Sequence, residues 1–311
     1  MKTVKTVYDH IRSNNIKTIL LVICFPLIFI ALVFLFTWIV VPADQALDTT
    51  VSVAIPTFVA CAVWLLISWA FGDSMMLHSA HAHEIFDTDK ENREIFRAVE
   101  NVAIAAGLPR PRVYIIDDDS MNAFATGRSP RDASVALTRG IIKKLDRLEL
   151  QGVIAHEMAH IGNRDIRLDM MLITGVGVTV FAADIILRLA MTTNNSDDNK
   201  NNTGAVLLMV WLAFMVFNWI VTPILRMAIS RNREYAADAT GAQITRNPAA
   251  LASALRKITT DSRVECLDKV KSMAAVCIAY PGGPREFVSS LMATHPPVEK
   301  RIERLESMAQ G

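Results

Sequence analysis

Cysteine is scarce, with four in 311 residues. Cys24, Cys61, Cys266 and Cys277 form no Cys-x-x-Cys pair, and two of them lie inside apolar runs. That excludes a disulfide framework and a thiolate metal site, and reads as buried thiols in a reducing or lipid setting. Surplus charge is lacking as well: 32 Lys and Arg against 31 Asp and Glu leave a net charge of +1, so the overall balance calls for no nucleic-acid partner. Charge is missing altogether from two long stretches, 18–41 and 51–71. Each is long enough to cross a bilayer core of about 30 Å at roughly 1.5 Å per residue.

What is present is apolar. The composition is 52% hydrophobic with a mean hydropathy of +0.31, too apolar for an ordinary soluble protein of this length, and membrane spans explain it. Residues 1–17 carry Lys2, Lys5, Arg12 and Lys17 against Asp9, whereas the connector 42–50 has Asp44 and Asp48 and no basic residue. This asymmetry predicts that the N-terminus and everything after Phe71 lie on the cytoplasmic side, with Trp64 and Trp69 near the interface. A cleaved signal peptide is the alternative, since Val41-Pro42-Ala43 loosely fits a cleavage site. The apolar run is longer than the usual signal core, and cleavage would leave the orientation unchanged.

Two further apolar runs follow the middle of the chain. The third, 170–191, contains Asp184 with Arg188 one turn later; the fourth, 205–225, carries Trp211 and Trp219 and ends before Arg226, Arg231 and Arg233. An Asn-rich loop joins them. They are expected to form an out-and-back hairpin that either crosses the membrane twice or dips beside the site without crossing.

Between the second and third runs stands VIAHEMAHIGNRD, in which His156 and His160 are four residues apart and Glu157 follows the first histidine. On a helix that spacing is one turn, so both imidazoles share a face and Glu157 flanks it. Two histidines holding zinc beside a carboxylate form the arrangement that takes a proton from water and returns it to a leaving amine, as in metalloproteases. Asp146 and Glu149 resemble a capping box at the start of this helix, and Gly162 can end it. RNREYAAD supplies Glu234 as a candidate third ligand, with Asp238 one turn further on the same face. His78, His81 and His83 form a second cluster without zinc-type spacing, and read as solvated interfacial histidines rather than a second metal site.

The remaining segments predict a small α+β unit. Ile95, Val99, Val102 and Ala106 recur at helical spacing before Gly107 and Pro109; 112–116 and 133–138 read as strands. The stretch DDDSMNAFATG reads as a turn into an extended edge, a place where an exposed strand binds substrate main chain, or else NAFA is a core strand with Phe124 inside. Asn247 and Pro248 open a helix through Leu255, 265–280 is a candidate helix, and Val298, Ile302, Leu305 and Met308 form the apolar stripe of a last one.

The blocks NAFATG (122–127), VIAHEMAHIGNRD, SRNREYAAD and THPPVEKRI occur in the order found in the membrane-bound zinc peptidases of the HtpX heat-shock protease family, which the chain resembles from about residue 90 onward. The resemblance implies a mainly helical α+β membrane protein with a zincin-like cytoplasmic protease domain and small sheet, two N-terminal transmembrane helices (18–41, 51–71), and a hairpin inserted between protease parts 72–169 and 226–311. It implies a gluzincin-type site: one Zn2+ held by His156, His160 and Glu234, Glu157 as base, Asp238 orienting a ligand histidine, His295 and Arg301 stabilising the oxyanion, and Asn122, Ala123 and Phe124 along the substrate groove. It also implies a multi-pass protein of a bacterial-type inner membrane, with lipid around it, peptide or membrane-protein substrates, and a part in quality control. A CAAX prenyl-protease type shares the same motifs but is disfavoured by only four apolar runs. A silent scaffold with structural zinc is disfavoured by the open coordination position beside Glu157.

Overall fold

Apolar side chains at every position around a helix, rather than on one stripe, require an apolar surrounding on all sides. A computed structural model describes residues 7–40, 43–194, 203–221, 231–260 and 297–310, and it begins with two such helices. α1 (Val7–Val40) and α2 (Ala43–Ser79) pack together, yet leave Ile19, Ile23, Leu27, Phe34 and Trp38 of one and Ile55, Phe58, Val63 and Leu66 of the other exposed. Among the described residues, the windows Ile11–Ile28 and Ala54–Ser79 are long and apolar enough to cross a membrane. Pro26 and Pro56 lie inside these helices. α2 continues well past the uncharged run ending at Phe71, and its last turns bury Met76 and Leu77 under the sheet, with Ala80 just beyond the helix buried beside them.

The sheet has four strands in the order β1-β2-β4-β3: β1 (His83–Ile85), β2 (Arg112–Ile116), β3 (Ala123–Gly127) and β4 (Ala133–Thr138). β2 and β4 run parallel and the outer pairs antiparallel, with Ala123 opposite Leu137 and Ala125 opposite Val135. β2 and β4 match the sequence expectation. β1 has no strand signal beyond its three residues and exists because it pairs with β2.

Alternation along each strand separates two cores. Val113, Ile115, Ala123, Ala125, Val135 and Leu137 face one way, onto α3 (Arg93–Ala106) and α5 (Arg147–Gly162). Tyr114, Ile116, Phe124 and Ala136 face the other way, onto Leu21, Leu65, Met76 and Met171 of the long helices. The sheet is thus a plate between the apolar bundle and the helices carrying the motif. α3 ends where expected, with Gly107 left-handed at φ 65°.

The short α4 (Arg139–Lys144) leads into α5, whose capping box is present: Asp146 Oδ1 accepts from the Leu148 and Glu149 backbone N–H at 2.8 and 2.9 Å, and Glu149 Oε2 accepts from the Asp146 N–H at 2.9 Å. Glu149 also accepts from Ser253 and Lys257, which fastens α5 to α9 (Pro248–Thr260). Asn247 caps α9 through the Ala250 N–H, and α9 runs five residues past Leu255.

α6 (Asp165–Asn194) packs along α7 (Thr203–Val216), and Thr179 Oγ1 donates to Asn218 Oδ1 at 2.7 Å. The pair leaves from the end of α5 and the chain re-enters at α8 (Arg231–Thr245), which packs on α5. In α10 (Val298–Ala309), Leu305 is buried and Val298 and Ile302 are partly so. Met308 departs from the expected stripe, being 46% exposed, because α10 rests on its neighbours for less than its full length. His295, Cys266, Cys277 and the candidate helix 265–280 lie outside the described residues.

Candidate metal centre

A histidine pair one helical turn apart needs a third donor from elsewhere in the fold, and α8 supplies it. His156 Nε2 and His160 Nε2 lie 3.1 Å apart, and each lies 3.7 Å from an oxygen of Glu234. These are the one group of three or more His, Cys, Asp or Glu among the described residues whose ligand atoms all fall within 4.8 Å of one another. His78, His81 and His83 are exposed and are not such a group among the described residues. His83 instead lies 3.7 Å from Asp117 on the surface.

α8 reaches this position because Gly241 lets its backbone approach α5. A Cβ there would stand 3.0 Å from the His156 nitrogen and 3.2 Å from its Cα. Arg233, next to Glu234, donates to Asp169 of α6 at 3.0 Å and lies 3.8 Å from Asp165, so the start of α8 is held by a buried ion pair.

Both rings turn their Nδ1 toward a carboxylate. His156 Nδ1 lies 3.0 Å from Asp238 Oδ1, and His160 Nδ1 lies 2.7 Å from Asp165 Oδ2. Each Nε2 is therefore left facing the common point, the orientation by which a carboxylate supports a metal-bound histidine. Asp238 is gripped in turn by both prongs of Arg301, from Nε at 2.8 Å and Nη2 at 2.7 Å, and Arg301 is fully buried. α10 is seated by the Arg304 guanidinium 3.6 Å over the Tyr235 ring and by an Arg256–Glu306 ion pair.

The electrostatics follow from this burial. Desolvation pushes Glu157 up to about 7, the Glu234 charge adds to the rise, and His160, Arg301 and the Ala125 N–H oppose it. Desolvation works against protonation of His160, yet Glu234 and Asp165 outweigh it and lift the ring to about 9. His156 is held below the ordinary range, because desolvation outweighs Asp238. Burial opposes the charge on Asp238, but Arg301 overrides it and lowers the carboxyl to about 2.

Two imidazole nitrogens and one carboxylate, all buried, suit zinc, and three protein donors leave a position open as catalytic rather than structural sites do. The residues present therefore fit such an ion.

The sequence-derived residues largely converge: His156, Glu157, His160, Glu234, Asp238 and Arg301 form one cluster. β3 is an edge strand of the sheet, and Asn122, Ala123 and Phe124 are buried rather than exposed, Phe124 in the core as the alternative reading had it. Phe124 points to the sheet face opposite α5. Thr138 N–H donates to Asn122 O at 3.0 Å, so antiparallel alternation turns the backbone groups of Ala123 and Ala125 outward. Asn122 Oδ1 takes the Ala123 N–H at 2.9 Å, and the Ala125 backbone N–H lies toward the Glu157 carboxyl and favours its charged form. Sequence reasoning missed Asp165, Arg233 and the Ala125 N–H. A readable signal existed for Asp165 alone, a carboxylate five residues after His160, just beyond the helix end.

The model of peptidase family M48 matches residues 89–309, more than half of the chain. The chain belongs to peptidase family M48. Its relatives include the Protease HtpX homolog of Bacteroides fragilis, 36% identical over 311 residues, covering 94% of this chain and 96% of the relative. The Protease HtpX homolog of Thermoanaerobacter pseudethanolicus is 39% identical over 307 residues, covering 98% of each, and that of Lactobacillus helveticus is 41% identical over 253 residues, covering 79% and 83%. The crystal structure of S. mikatae Ste24p aligns with a TM-score of 0.47 at 17% identity, covering 94% of this chain and 64% of that one, a likeness that carries no inference about chemistry. This M48 peptidase is thus of the HtpX type, a membrane metalloprotease, and the cluster on α5 and α8 lies inside the matched region.

Proposed function

We propose that this M48 peptidase is a zinc-dependent endopeptidase that hydrolyses peptide bonds at the cytoplasmic face of a bacterial-type inner membrane, acting on damaged or misassembled membrane proteins. The observation that carries the reading is the meeting of His156, His160 and Glu234, with their donor atoms within 4.8 Å and Glu157 in the same helix. In this reading those three residues hold the ion. Zinc so held supplies a Lewis acid that polarises a carbonyl and acidifies water near neutral pH.

The chain's own groups do the rest. Glu157 accepts the proton of the attacking water and delivers it to the leaving amine, and its burial, which favours the protonated form, makes it the stronger base. Asp238 and Asp165 hold the two rings in the tautomer that frees Nε2. Arg301 holds Asp238, and its Nη1, 3.8 Å from Glu234, adds positive charge near the developing oxyanion, a role shared with His295. The outward backbone groups of β3, those of Ala123 first, pair with an extended substrate, while Asn122 and Phe124 line the groove by holding this strand against β4 and the core. The spans are 18–41 and 51–71, with the 170–191 and 205–225 pair as an inserted hairpin between protease parts 72–169 and 226–311.

The test is metal analysis and digestion of casein or a membrane protein by the detergent-purified chain, with and without chelator. Glu157→Gln is expected to keep its zinc and lose on the order of 10²–10⁴-fold in turnover. Normal cleavage by that variant, or cleavage by the metal-free chain, would overturn the assignment.

A further inference from the structure

α1 starts before its apolar run, and the turn ahead of that run reaches the metal centre. Asn14 is buried, and its Nδ2 donates to Asp165 Oδ1 at 2.5 Å and to the Asn163 carbonyl at 3.1 Å. Asp165 is itself fully buried and gives its other oxygen to His160 Nδ1 at 2.7 Å. A third group competes for this carboxylate: Arg233 of α8, whose Nε lies 3.8 Å from Oδ1. Thr18 Oγ1 donates to the Asn14 carbonyl at 2.9 Å, and Arg167 Nη1 donates to Asn15 Oδ1 at 3.4 Å, so the contact has support on both sides.

A carboxylate rotates about its Cβ–Cγ bond, and the direction of its oxygens depends on which donors hold them. We infer that Asn14 is a positioning residue for the metal ligand His160, acting through Asp165. With Asn14 in place, Oδ1 is satisfied and Oδ2 stays on the ring. Without it, a buried oxygen loses its nearest donor, and the carboxylate is drawn toward Arg233 and away from the imidazole. The His160 ring then loses the partner that fixes its tautomer and aims Nε2 at the ion. The first helix thereby becomes part of the support of the metal centre in addition to being a membrane segment. This inference rests on His156, His160 and Glu234 being the zinc site.

The experiment uses the full chain in detergent, stripped of metal and titrated with Zn2+ against a chromogenic chelator. Loss of a partner that orients a ligand typically weakens metal binding 10- to 100-fold, and Asn14→Leu, one hydrogen bond further out, is expected at about tenfold. Asn14→Asp keeps the side-chain shape but sets a carboxylate against a carboxylate, so its loss should be larger. If Asn14 acts through Asp165, the double variant Asn14→Leu/Asp165→Asn binds zinc no more weakly than Asp165→Asn alone. A purely packing role would lower affinity equally in both backgrounds. That result, or wild-type affinity in both Asn14 variants, overturns the inference. Wild-type chain that takes up no zinc overturns the metal-site reading itself, and with it the role given to Asn14.

Discussion

His160 faces two carboxylates through opposite edges of its ring, Asp165 at 2.7 Å and Glu234 at 3.7 Å. His156 also faces two, Asp238 at 3.0 Å and Glu234 at 3.7 Å, but there burial outweighs them and Arg301 Nη2 at 3.4 Å opposes a second positive charge. Identical side chains one turn apart therefore titrate in opposite directions. Without metal, His160 is raised from 6.5 to about 9 and carries a proton at neutral pH. A raised histidine stabilises the metal-free fold fully below its unfolded value near 6.5, and that contribution is lost as pH rises through about 9. Metal binding must expel this proton. We predict release of about one proton per zinc bound at pH 7.5, and an apparent affinity that rises about tenfold per pH unit toward 9 before levelling. Calorimetry in buffers of different ionisation enthalpy measures the proton count. No release would mean that His160 is already neutral.

At the scale of elements, the centre depends on how closely α8 can approach α5. Gly241 sits where a methyl group would meet the His156 backbone at 3.0 Å, and backbone cannot swing aside as a flexible side chain can. Gly241→Ala should push α8 away by a few tenths of an ångström and draw Glu234 off the imidazoles. The expected result is zinc affinity and turnover lower by roughly tenfold, with helix content by circular dichroism unchanged. Wild-type affinity in this variant would show that Glu234 does not depend on the close approach. β3 is the other element that matters: its edge position turns the Ala125 N–H onto Glu157, while alternation sends Phe124 into the core beneath.

At the scale of the whole molecule, the start of α1 and the end of α2 both meet the unit that carries the centre. Asn14 reaches Asp165, and Arg112 donates to Asp73 at the end of α2 at 2.6 Å. Two apolar helices that leave the unit and come back to it place the N-terminus and the metal centre on one side of any membrane they cross. With the basic head before the first run, that side is expected to be the cytoplasm. Single cysteines introduced at Asp9 and Glu306, in a background without the native four, should label from the same face of oriented vesicles. Labelling from opposite faces would sink the topology.

The sequence by itself determined the elements whose cause is local. The one-turn spacing of His156 and His160, the capping box from Asp146 to Glu149, the glycine after α3 and the uncharged lengths of α1 and α2 all follow from periodicity and end chemistry. The motif blocks also made the family legible. Tertiary structure alone decided which distant groups share a charge or an oxygen: Asp165 divided among His160, Arg233 and Asn14, Arg301 committed to Asp238, and a three-residue β1 that exists because β2 is there to pair with it. Residues 63 to 151 positions apart meet only after the chain has closed on itself, and the spacing along the backbone carries no record of those contacts.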